Sequence, residues 1–169
     1  MKFSLLNRKL HRWGAIVGAL PLLLVVGTGI LLLLKKDLAW IQPPTKRGAA
    51  TAPTLGLDEL LAAATTASEA GIQGWEDVDR VDVRPGRGLA KFQSRTSWEV
   101  QVDTATAEVL SVAYRRSDLI ESLHDGSFFH ERAKLAVFLP HGILLLALWA
   151  SGLWLFFLPY AARRRRARS

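Results

Sequence analysis

The sequence predicts a membrane protein of α+β class, with two transmembrane helices flanking a small extracytoplasmic helix-plus-antiparallel-sheet domain. Three observations predict it. Two long runs are almost free of charge, the segment between them changes from helical to alternating hydrophobic period, and basic residues crowd the outer flank of each run.

The first run, residues 13–34, holds no charged side chain. As a helix it is roughly 33 Å long, enough to cross a hydrocarbon core of about 30 Å. A soluble helix of that length would show a polar face, and this one has none. Signal-peptide cores run about 7–15 apolar residues and end at a small-residue cleavage site. Here Lys35-Lys36-Asp37 follows directly and the nearest Ala-x-Ala, Ala50-Thr51-Ala52, lies downstream, so an uncleaved anchor is expected. The second run, 135–158, is roughly 36 Å long as a helix, and His141 is its one ionisable residue.

Two spans put both termini on one side, and charge says which. The flanks 1–12 and 159–169 carry nine basic residues and no acidic one; residues 35–134 carry thirteen basic and fifteen acidic, a net −2. Lys and Arg near span ends mark the cytoplasmic side. Both termini are therefore expected in the cytoplasm and 35–134 in the periplasm of a bacterial inner membrane. A nucleic-acid partner, which a pI near 10.2 invites, is excluded because the soluble part is mildly acidic. The arginines of 163–168 read as a topology lock and an attraction for anionic lipid. With no cysteine, disulfides and thiolate metal sites are ruled out.

In the first span Gly14-x-x-x-Gly18 puts two small residues on one face, spacing that lets helices approach closely in lipid. Either the two spans pack on each other there, or a homodimer forms through Gly14 and Gly18. Trp13, Trp40, Trp154 and Tyr160 sit at span ends as an interfacial aromatic belt. Residues 35–53 read as a linker, its Pro-, Ala- and Thr-rich part exposed. A domain over 54–113 follows. Leu57, Leu60, Leu61 and Ala64 form one helical stripe, with Gly71 placed to end the helix. Val81 and Val83, then 89–93, then Trp98, Val100 and Val102, then 109–113 read as about four strands with turns between. Asp118-Leu-Ile-Glu121 has the spacing of a capping box, and 114–134 reads as an interfacial segment ending in Phe128 and Phe129.

Three pieces together resemble the PepSY-associated transmembrane family: RKLHRWG (8–14) entering a span that ends in Thr28-Gly29, the strand–turn–strand WEVQVDTATAEVL (98–110), and Leu123-His124-Asp125-Gly126 before the second span. Ala107 and Ser151 stand where the family suggests Gly and Thr, and two spans replace the four or so of larger members. The resemblance implies either a PepSY domain that binds or regulates an envelope partner, or, by analogy with the larger members, haem b and reduction of ferric siderophores.

The histidines are the candidate ligands. An ionisable residue inside a span merits a functional hypothesis, and imidazole is a common axial ligand of haem iron. His141 lies about 9 Å into its span; it either holds haem or hydrogen-bonds the first span. His124 would pair with it, or a symmetry mate would, and His11 would serve a second haem if another chain completed the site. His11 reads otherwise as snorkelling beside Arg12, and His130 as a surface residue. His11 and His141 are expected near opposite faces. Nothing resembles a nucleophile elbow or a metal-binding His pair, so the leading reading is a non-enzymatic protein that engages an envelope partner.

Overall fold

The computed structural model describes residues 2–166, with side chains from 4 to 160. The arginine cluster of 163–168 lies outside the described side chains. The chain forms two compact units, Met1–Ile30 with Glu121–Ser169, and Leu31–Ile120.

The first unit is built on α1 (Lys2–Leu33) and α4 (Leu139–Arg166). Ser4–Leu33 and Lys134–Tyr160 are each long and apolar enough to cross a membrane. Among the more protected positions of α1 are His11, Gly14, Gly18, Pro21, Leu24, Val25 and Thr28; those of α4 include His141, Leu144, Leu145, Leu148, Ser151 and Gly152. Both sets follow the three-and-four spacing of one helical face. A Cβ on Gly14 would stand 3.0 Å from Leu148, and one on Gly18 3.4 Å from His141. The small pair offered to a second copy is thus taken up by α4 of the same chain. One π turn, Lys134–Phe138, leads into α4, and the Leu139 N–H donates to the Lys134 carbonyl. Pro140 has no N–H for Ala136, so the regular ladder cannot run through this point.

The second unit holds a four-stranded antiparallel sheet in the order β1 (Val78–Arg84), β2 (Leu89–Ser94), β3 (Trp98–Asp103), β4 (Val109–Tyr114). Alternation along a strand sends neighbours to opposite faces. One face presents Ala90, Phe92, Val100 and Val102 to α2 (Leu57–Ala64), whose Leu60, Leu61 and Ala64 complete the core. The expected helix is shorter than its pattern: α2 stops at Ala64, and a 3-10 turn, Ser68–Ala70, carries the chain to Gly71 at φ 64°. Ala107, at φ 59°, occupies the left-handed region that favours glycine, which accounts for the Gly suggested by the family at that turn.

The other face is polar and just as buried. Lys91 pairs with Gln101 and Gln93 with Glu99 across the ladder, and Glu99 is 1 % exposed. Glu99 takes Lys91 Nζ at 2.9 Å and Arg115 at 2.6 Å; Arg115 also holds Asp118. Two cations and two carboxylates balance, as burial requires.

This face corrects the expected exposed linker. Residues 41–49 lie across it as a strap: Ile41 and Pro43 are buried, and the Ile41 carbonyl accepts from Ser117 N. A further correction concerns α3 (Arg116–Asp125), which starts two residues before Asp118. Asp118 is therefore no cap; it accepts from Gln93 and Arg115.

Candidate functional site

In an apolar helix pair each buried polar group needs a partner, because lipid supplies none. The polar residues His11, Thr28, His141 and Ser151 all lie on the facing stripes of α1 and α4.

Two of the expected histidines sit in the same local arrangement. His124 Nδ1 is 3.0 Å from Thr28 Oγ1 and 3.1 Å from the Val25 carbonyl, and its Cε1 lies 3.4 Å from a Cβ built on Gly29. His11 Nδ1 is 2.8 Å from Ser151 Oγ, with its Cε1 3.3 Å from a Cβ built on Gly152. Each ring thus rests on a hydroxyl residue followed by glycine, Thr28-Gly29 in one case and Ser151-Gly152 in the other.

The hydroxyls assign the tautomers. Thr28 donates to the Leu24 carbonyl at 2.6 Å, and the Val25 carbonyl only accepts, so His124 Nδ1 carries the proton. Ser151 donates to the Leu148 carbonyl at 3.0 Å, and the same proton placement at His11 satisfies both bonds. In that tautomer Nε2 carries the lone pair, the form in which neutral imidazole binds a metal, oriented by the bond its other nitrogen makes.

Beside His11 runs a groove of about 730 Å³, lined by Ala15, Gly18 and Ala19 on α1 and by Leu145, Leu148 and Trp149 on α4, among others. Ala15, Gly18 and Ala19 leave room on the α1 wall, which Leu22, Leu23 and Val26 continue, and the almost wholly apolar lining suits a large apolar ligand.

His141 is placed differently. It packs against Gly18, but its Nε2 is buried with no hydrogen-bond partner among the described residues, so the expected bond to the first span is not made. Nor does it meet His124. The two rings rest against Gly18 and Gly29 of α1, eleven residues or roughly 16 Å apart along the axis, whereas a metal–nitrogen bond is about 2 Å. His11 lies seven residues from Gly18, roughly 10 Å, nearer to His141 than opposite faces imply but not on one iron. His11 does not snorkel, since it is held on Ser151. His130 is an exposed residue whose Nδ1 accepts from Arg132 N. No cluster of three or more His, Cys, Asp or Glu that could hold an ion occurs among the described residues.

The two Ser/Thr-Gly seats carry the site, and single-sequence reasoning undervalued them. Their signal was present: a hydroxyl residue before glycine on each span, opposite a histidine of the other limb.

Before the second span, Asp125 binds Lys134 at 2.6 Å and Ser127 at 2.7 Å. Those two partners hold its carboxyl at about 2, below the usual 3.8. Phe129 stacks on Phe138 and meets Phe128 edge to face beside this loop.

Compared with known families, the chain matches the PepSY-associated TM region over residues 8–169. Neither the curated proteins nor the solved structures returned a match.

Proposed function

The chain belongs to the PepSY-associated TM family, and from that premise we propose that this membrane protein binds haem for electron transfer, with His11 and His124 as ligands. The observation that supports the reading is the repeated seat: an imidazole whose Nδ1 is pinned by a helix hydroxyl and whose Nε2 makes no hydrogen bond among the described residues. The 730 Å³ apolar groove beside His11 supports it further.

The residues fit the group one ligand at a time. His11 with Ser151 and the groove would make one half-site, and His124 with Thr28 another. The levels of α1 that carry them, His11 and Thr28, are roughly 25 Å apart, so the second ligand of each would come from a second copy or another subunit. Bound haem would supply one-electron transfer. The chain's own residues do the rest: Ser151 and Thr28 orient the rings, Gly152 and Gly29 admit them closely, and the leucine walls exclude water.

The test is the visible spectrum of protein purified from haem-replete cells. A Soret band with sharp reduced α and β bands is expected, and a preparation that stays colourless when haem is added would remove the reading.

The charge distribution supports both termini in the cytoplasm and 35–134 in the periplasm of a bacterial inner membrane. A reporter active only outside the membrane should work when fused after Ala50 and stay silent after Ser169; the reverse pattern would overturn the orientation.

A second reading is favoured by the strap contacts of the sheet. In it, the PepSY-like domain engages a polypeptide of the envelope. Recovery of such a protein with the solubilised full chain is expected, and a pull-down that recovers none from intact complexes would count against it.

A further inference from the structure

The strap is held in an unusual way. Between Pro44 and Ala50 no side chain is buried; Pro44, Lys46, Arg47, Ala49 and Ala50 are exposed. What the sheet grips is the main chain. Gln101 donates from Nε2 to the Pro44 carbonyl at 3.0 Å and accepts at Oε1 from Lys46 N at 2.8 Å. Asp103 Oδ2 accepts from Ala49 N at 2.6 Å, and the Arg87 carbonyl accepts from Gly48 N at 2.8 Å. A side-chain amide bonded to the C=O of one residue and the N–H of the residue two further on reads extended backbone, independently of side chains. Strand addition in peptide recognition rests on the same donors and acceptors.

The wall beneath is polar and charged: Lys91, Glu99, Gln101 and Asp103 are each at most 4 % exposed. Lifting the strap would hand these groups to water, which solvates them, whereas lifting a segment off an apolar face would expose oil. One position is selective. A Cβ at Gly48 would stand 2.1 Å from the Gly88 carbonyl, so the occupant must carry glycine there.

We propose that the polar face of this sheet is a binding groove for extended polypeptide, and that residues 43–50 are its built-in, displaceable occupant. The exchanging partner is an extended segment of an envelope protein with glycine at the crossing point. This rests on the second reading above and names the chemistry of its partner.

The test uses the full chain in nanodiscs and a fluorescent synthetic peptide of the strap, IQPPTKRGAATA (41–52). Gly48→Val drives a side chain into the Gly88 backbone and ejects the strap while leaving the wall intact. The variant should bind the peptide saturably and at least tenfold more tightly than the unaltered chain, whose own strap competes at high effective concentration. Adding Gln101→Leu should abolish binding. A Gly48→Val chain that melts normally yet binds no better than the unaltered one overturns the proposal. Should that variant not fold, hydrogen exchange on the unaltered chain decides. The amides of Lys46 and Ala49 should exchange at least tenfold faster than those of Phe92 and Val100; exchange locked to the central strands overturns it. Peptide binding without any recovered envelope protein leaves the groove standing and fells the partner reading, and the converse fells the groove alone.

Discussion

Glu99 shows how one side chain organises the soluble unit. It is 1 % exposed and takes both Lys91 and Arg115. Replacing it with Gln leaves two buried cations short of charge. Removing one member of a buried ion pair costs about 3–5 kcal/mol, so Glu99→Gln should lower unfolding stability by that much, read from tryptophan fluorescence of the full chain in denaturant. A second residue-scale effect is acid sensitivity. Burial alone would raise the Asp103 carboxyl, but the N–H groups of Ala49, Ala105 and Thr106 outweigh it and hold the group below 3.8. A depressed carboxylate contributes stability that is present above its unfolded value and lost as pH falls through the folded one. Asp125, held at about 2, has the same sign. Stability of the two units that hold them should therefore be level from pH 7 to about 5 and fall below about 4; a stability that rose on acidification would contradict both assignments.

Among the elements, α1 and α4 face one another through glycines and histidines rather than through leucines alone. Gly14 and Gly18 meet Leu148, Leu144 and His141 of the same chain. Because the chain has no cysteine, a pair at Gly14 and Leu148 can be introduced without clearing a background. On oxidation it should close within one chain and run as a monomer on a non-reducing gel. Disulfide-linked dimers as the main product would place this face against a second copy instead. The strap is the element that sequence least announced. Beyond the buried Ile41 and Pro43, its stretch from Pro44 to Ala50 has no apolar period, because no side chain there is buried and the backbone makes the contacts, and no periodicity detects a backbone contact.

At the scale of the whole molecule, the legible features were those written in long patterns. Uncharged length announced the spans, and alternation announced the sheet, down to Val100 and Val102 facing the core. The candidate site was legible only as a set of residues. His11, His124 and His141 could be picked out, but pairing His124 with His141 failed because height along a helix pair depends on which residues face each other. Thr28 and Ser151 passed as small polar residues, since a helix hydroxyl usually bonds its own backbone; here each does that and seats a histidine as well. The central claim is that His11 and His124 present separate half-sites, and bound haem per chain tests it most directly. In purified, haem-saturated protein, His11→Ala and His124→Ala should each lose half of the bound haem. The double variant should lose all of it, and His141→Ala should retain it. Full haem content in the double variant, or complete loss in His141→Ala alone, would contradict the account.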